Sequence, residues 1–166
     1  MSPHQVSSSK GFTLIETLVA IAVLGVGLIP AFIQASSALS LSQTVRNSLT
    51  ATYLAQEGIE TIRAMRDANW FAGDPFGQGI SDACAGGCQV QWDKAEPLQL
   101  ADPSLKLDPV TGLYQYDTGT DTGFHRTVTT TSISAHELKV VVSIDWRDRT
   151  GDKKFEVEDH LYDWLK

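Results

Sequence analysis

The hydrophobic pattern changes character three times along the chain. From Leu18 to Ile33 no side chain carries a charge or a hydrogen-bonding group, and the wider stretch Phe12 to Ala35 is interrupted only by Thr13, Glu16, Thr17 and Gln34. As a helix this stretch spans about 36 Å, enough to cross a hydrocarbon core of about 30 Å. Gly25, Gly27 and Pro30 lie inside it. Pro30 removes a backbone hydrogen bond and each glycine costs about 1 kcal/mol relative to alanine, so Pro30 is expected to act as a helix breaker in a bent or locally melted segment. Gly and Pro are also simply more frequent in membrane helices, where they allow close packing.

Beyond Ala35 the apolar residues Leu41, Val45, Leu49, Ala55, Ile59 and Ile62 recur at three- and four-residue spacings, with a gap near Thr52. Gln43, Arg46, Asn47, Gln56, Glu60 and Arg63 fall mostly on the other side. This is an amphipathic continuation of the same helix, which predicts one element from about Phe12 to Asn69 with Gly58 as a weak point. Glu60 with Arg63, and Arg63 with Asp67, have the spacing of supporting ion pairs. The stretch GDPFGQGISDACAGGC then reads as an irregular loop over 73–89.

Strand signals dominate afterwards. Leu138, Val140, Val142, Ile144 and Trp146 alternate with Lys139, Ser143 and Asp145, which gives a strand with one core face. Arg126 to Ser134 before it and Lys154 to Tyr162 after the turn signal Asp148 to Asp152 complete a three-stranded antiparallel meander. Leu113 to Tyr116 and Gln89 to Trp92 are shorter candidates. The fold class is therefore α+β, in which an antiparallel β-sheet must cover one apolar face and the amphipathic half of the long helix is the sizeable element that can do so.

Charge bears on location. The 166 residues carry a formal charge of -7, which repels a nucleic-acid backbone from the molecule as a whole, and the longest basic cluster is the pair Lys153-Lys154. A few basic residues such as Arg126, Arg147 and Arg149 would suffice for a nucleic-acid contact within a complex. Lys10 precedes the apolar run and the next basic residue is Arg46, a bias that keeps the N-terminus cytoplasmic and sends the remainder out.

The segment itself has three readings. A secretory signal peptide would be cut after the small residues Ser36-Ser37-Ala38, but its apolar region usually runs only about 7 to 15 residues. A plain uncleaved anchor fits the length. Neither explains Glu16, because a carboxylate in an apolar membrane helix costs about 2.5 to 3.5 kcal/mol at the centre and less toward an end. The third reading takes Lys10-Gly11 as the end of a short polar leader, followed by Phe12, Glu16 four places on, and the apolar run.

That arrangement, from Lys10 to about Ile33, closely resembles the prepilin N-terminus of type IV pilins and of type II secretion pseudopilins. The resemblance implies that a prepilin peptidase cuts after Gly11 and methylates the new terminal amine of Phe12. It divides the chain into a leader over 1–11, a transmembrane and assembly helix over 12–35, an amphipathic helix of the head over 36–69 and a β-rich head over 70–166. It also implies a role for Glu16, whose carboxylate would offset the charge of the Phe12 ammonium during assembly. The pair forms either with a neighbouring subunit or within one chain, since Phe12 and Glu16 are four apart.

The stretch YLAQEGIETIRAMRD resembles the helix of minor pilins of the PilV type. A minor pilin of a type IV pilus is the function this implies, with other pilins, minor pilins, an inner-membrane assembly platform and membrane lipid as partners. The protein would reside in the inner membrane as a single-pass chain and, after assembly, in an extracellular pilus. The alternatives are a type II secretion pseudopilin, or a membrane-anchored adhesin or DNA-uptake module.

Cys84 and Cys88 are the two cysteines. A metal site would need about four ligands, and His125, His136 and His160 lie far along the chain, so a local disulfide is the simpler reading, with a free thiol pair as the alternative. The acidic loops Asp117 to Asp121 and Asp145 to Asp152 match no EF-hand and read as solvated turns. No nucleophile elbow, zinc-protease motif or phosphate-binding glycine loop occurs, so no enzyme and no cofactor is expected. Trp70, Phe71 and Trp164 are candidates for an exposed binding surface, although aromatic residues at element ends are more often packed.

Overall fold

The computed structural model describes residues 11–164, so Lys10 and the rest of the expected leader before Gly11 lie outside the described residues. Helix α1 runs from Leu14 to Ala72. It continues without a break through Gly25, Gly27 and Pro30, so the expected local melting is absent. It also runs one turn past the expected end at Asn69. There the Gly73 amide donates to Trp70 O (3.2 Å) and the Asp74 amide to Asn69 O (2.9 Å), with Gly73 at φ +78°. This is a Schellman cap, and its stop signal is Gly73.

Packing divides the chain at Gln43 and Thr44 into two compact units. In the first, the apolar side chains of α1 are almost all exposed. In the second, Ala51, Leu54, Ala55, Ile59, Ile62 and Met65 are buried. The stripe read from sequence began at Leu41, and this is corrected: Leu41, Val45 and Leu49 are 65%, 50% and 53% exposed. The helical period carries on toward the N-terminus, but the buried residues of α1 begin only at Ala51.

Strands β1 (Cys88–Gln89), β2 (Leu98–Gln99), β3 (Ser104–Leu107), β4 (Tyr114–Gln115), β5 (Thr120–Ser134), β6 (Glu137–Asp148) and β7 (Gly151–Tyr162) form one antiparallel sheet. The meander β5–β6–β7 is the one expected, with longer strands. β5 is its organiser: one edge pairs with β6, while the other is shared by β3, at Leu105 opposite Phe124, and β1, at Cys88 opposite Val128. Of the candidate Gln89 to Trp92 only Gln89 lies in a strand, β1, the candidate Leu113 to Tyr116 shrinks to β4, and β2 and β3 were not anticipated. Among the described residues β7 pairs only with β6, and its exposed Asp152, Lys154, Glu156 and Glu158 are the charges that discourage edge-to-edge pairing.

Helix and sheet meet at Gly58. A Cβ built there would lie 3.0 Å from Val142 Cγ1 and 3.2 Å from its Cγ2, so the glycine lets the helix axis approach the sheet. Its cost in helix propensity is offset by this contact. Beside it Arg126, wholly buried, donates from Nε to Tyr116 Oη (3.1 Å), from Nη1 to Leu54 O (3.2 Å) and Glu57 Oε1 (3.0 Å), and from Nη2 to Val90 O (2.7 Å). One guanidinium thus ties α1 to the sheet and to the segment after β1. Burial works against its charge, but Tyr116 and Glu57 outweigh it and hold the Arg126 pKa above its ordinary value. Nearer the end of α1, Arg63 pairs with Glu60 (2.5 Å) as expected and with Asp159 of β7 (2.8 Å), whereas Asp67 pairs with Arg66 (2.7 Å) instead.

The loop over 73–89 is more than a surface connection. Cys84 and Cys88 are joined in a disulfide and both are fully buried, together with Ile80. Thr130 of β5 donates its amide to Cys84 O (3.1 Å) and its hydroxyl to Ser81 O (3.2 Å). The small ring thereby seats part of the core.

Two outcomes are expected from these contacts. Gly58→Leu should destabilise the head by about 1 to 3 kcal/mol through overpacking against Val142, read as a lower denaturation midpoint of the full chain in detergent. Arg126→Met should cost about 3 kcal/mol, at the lower end for a broken buried pair because Glu57 retains some access to water. An unchanged midpoint for Arg126→Met would show that the guanidinium network contributes nothing net.

Candidate functional site

The N-terminal segment is built by Thr13. Its Oγ1 accepts from the Glu16 amide (3.3 Å) and its carbonyl from the amides of Glu16 (3.1 Å) and Thr17 (3.2 Å). Thr13 is thus the N-cap of α1 and Glu16 is the third helical residue, the spacing of a capping box. The pattern Thr13-Leu14-Ile15-Glu16 was legible as that signal and was missed. A first-turn carboxylate is also favoured by the helix dipole, by about 0.3 to 1 kcal/mol.

Gly11 and Phe12 precede the cap and are not helical, so the bond between them lies ahead of the first helical turn. Both are exposed. A Cβ at Gly11 would meet nothing within 4 Å, and the same holds at Gly25 and Gly27. Among the described residues nothing packs against these three glycines. The helix is long and apolar enough to cross a membrane.

Among the described residues no group of three His, Cys, Asp or Glu is arranged to hold a metal ion. The turn carboxylates are occupied locally: Asp121 Oδ1 accepts from Ser104 Oγ (2.8 Å) and the Gly123 amide (2.9 Å), and Asp148 Oδ1 from the Thr150 amide (2.7 Å) and hydroxyl (2.6 Å). These bonds hold both carboxyls below the usual range. His160 sits between Glu137 (2.7 Å) and Glu158 (3.1 Å), whose hydrogen bonds raise its pKa. Arg126 is corrected from a surface base to a core residue, which removes it from any nucleic-acid contact; Arg147 and Arg149 are exposed.

The aromatic residues at the end of α1 do come together. Arg66, Asp67, Trp70, Phe71 and Trp164 line an open cavity of about 550 Å³. The Arg66 guanidinium lies 4.2 Å from the Trp70 ring centroid, a cation–π contact. Phe71 and Trp164 are 94% and 78% exposed, while Trp70 is half-buried against Phe76.

Comparison with known proteins bears on the N-terminus. The family model for the prokaryotic N-terminal methylation motif matches residues 6–32. No curated protein matches the chain, and no solved structure matches it either. Residues 6–32 thus carry a prokaryotic N-terminal methylation motif, which runs into a long apolar helix followed by an antiparallel sheet.

Proposed function

We propose that the chain is a minor pilin of a type IV pilus, cut after Gly11, methylated on Phe12, held in the inner membrane by residues 12–35 and then packed into the filament. The observation that carries this reading is the juxtaposition at the N-terminus. A non-helical, exposed Gly11–Phe12 bond stands directly ahead of the Thr13 cap, and the apolar side chains that follow are left exposed by the single chain. An apolar surface of that extent needs lipid or other helices around it. Residues 1–11 act as the leader, and the head begins within the second half of α1. The protein works by packing, so it acts without a cofactor. Its partners are the peptidase, other pilins and the assembly platform.

Glu16 is the assembly group. Scission at Gly11 creates an ammonium on Phe12, and inside an apolar filament core that charge needs a carboxylate close by. The first-turn position of Glu16 puts its side chain within a turn of the new terminus, on the same chain or presented to the next.

Two results are expected. Mass spectrometry of protein recovered from membranes or filaments should find an N-methylated Phe12 and the loss of residues 1–11, which removes Lys10 and makes the chain one charge more negative. An intact Met1 as the sole N-terminus, in cells with active prepilin peptidase, would sink the reading. Glu16→Leu should insert into the membrane at least as well as the parent, by relieving a cost of at most about 3 kcal/mol, and should still be cut. It should be lost from sheared filaments. Recovery at the parental ratio would return Glu16 to the role of a helix-start residue.

A further inference from the structure

The last residues of β7 have β6 as their one strand neighbour among the described residues, and the end of an edge strand is where a head of this kind opens most easily. On the core side that end is held by Leu161, which is buried, by Arg66 Nη1 donating to Tyr162 O (3.4 Å) and by the Asp163 amide donating to His136 O (2.9 Å). The outer face of the same strands carries a second set of contacts.

There Lys139 of β6 stands opposite His160 of β7, and Glu137 opposite Tyr162. His160 Nδ1 lies 2.7 Å from Glu137 Oε1 and its Nε2 3.1 Å from Glu158 Oε1. Tyr162 Oη donates to the same Glu137 oxygen (3.3 Å) and its ring stacks on the imidazole, with centroids 6.4 Å apart. Lys139 Nζ reaches Glu158 Oε2 at 2.6 Å. Asp159 accepts the His160 amide through Oδ1 and is neutralised through Oδ2 by Arg63 of α1 (2.8 Å), while His136 pairs separately with Asp163 (3.3 Å). A neutral imidazole carries one N–H, so it donates to one glutamate and turns a lone pair on the other. Only the imidazolium donates to both. With it, two carboxylates face an ammonium and an imidazolium and the cluster is balanced; without it, an excess negative charge sits on the strand end.

We propose that His160 is a proton-operated clasp, closed when the ring is charged, that sets how firmly the last residues of β7 stay paired with β6. His160 is partly exposed, so the clasp has the strength of a surface pair, and such a pair matters where opening is already cheap. The carboxylates favour the charged ring and raise its pKa above the ordinary 6.5, so the clasp is fully made below 6.5 and is lost as pH rises through the raised value. On the acid side Glu158, held below its ordinary 4.5 by Lys139 and then by His160, contributes above 4.5 and is lost as pH falls through the lowered value. Opening uncovers Leu161 and breaks the tie from Arg66, so the proton state of one outer-face residue reaches the end of α1. None of these contacts involves residues 12–43, which makes the clasp independent of the filament reading.

Amide exchange followed by NMR on the full-length chain in detergent micelles tests the clasp, read as the protection of the Asp163 amide relative to its intrinsic rate, from about pH 5.5 to about pH 8.5 across the histidine range. Val142, on the central strand β6, reports the head as a whole. Asp163 protection should fall severalfold along a one-proton curve whose midpoint matches the titration of the His160 ring and lies above 6.5, while Val142 protection holds. His160→Gln should leave Asp163 at the lower level throughout. Glu158→Gln should lower the His160 midpoint and shrink the step, and His136→Gln should leave the step in place. A flat Asp163 profile in the parent overturns the proposal, as does a step that survives His160→Gln or one that His136→Gln removes. A parallel loss at Val142 overturns it too, because the proton would then act on the whole head and not on the end of β7.

Discussion

The sheet has one apolar face, and the second half of α1 is what covers it. Everything in the head follows from how closely those two layers approach. Gly58 removes the side chain that would hold α1 off Val142, and Arg126 fills the space beside it with four donated hydrogen bonds. A buried guanidinium is expensive unless its donors are satisfied, and the partners here come from three segments: α1, the stretch after β1, and Tyr116 next to β4. The cation thus specifies which segments must be together before it can be buried at all. Cys84 and Cys88 close a small ring beneath the same face, and Thr130 fastens that ring to β5.

The N-terminal half of α1 poses the opposite problem. It has the right local chemistry for a helix, with Thr13 as cap and Glu16 in the first turn, but no apolar partner among the described residues. Magnitudes separate the two accounts of Glu16. Its interaction with the helix dipole is worth about 0.3 to 1 kcal/mol, whereas a carboxylate in the membrane costs up to about 3 kcal/mol. A neutral residue would serve the helix start at lower cost in lipid, so the start alone does not account for a carboxylate here. The proposed cleavage after Gly11 would supply a compensating charge.

Much of the fold was legible because its signals are local. The alternation Leu138 to Trp146 fixes which face of β6 is buried, and the three- and four-residue spacing of Ala55, Ile59 and Ile62 fixes the matching face of α1. The same periodicity misled at Leu41, Val45 and Leu49, because a pattern says which side of a helix is apolar but not where its partner starts. Arg126 was read as a surface base for a related reason: only the tertiary placement of Tyr116, Glu57 and two carbonyls makes its burial tolerable. β2 and β3 escaped because strands of two and four residues owe their existence to pairing with β1 and β5 and carry little pattern of their own. At the candidate site, the Gly11–Phe12 junction and Glu16 were readable as letters, while the Thr13 cap that orders them was overlooked despite its Thr-x-x-Glu spacing.

The end of α1 shows how a single residue of local structure sets up a surface. Had the helix stopped at Asn69, Trp70 and Phe71 would belong to the loop and their directions would be set by turn geometry. Gly73 adopts a left-handed conformation at φ +78° that side-chain-bearing residues rarely reach, and the two capping bonds to Asn69 and Trp70 hold the last turn closed. Trp70 then falls four residues after Arg66 on the same helical face, which is why the guanidinium stacks on the indole. Phe71, one step around the helix, is turned outward beside Trp164. The cavity is therefore a product of the cap: a glycine outside the helix decides that an aromatic residue inside it faces solvent.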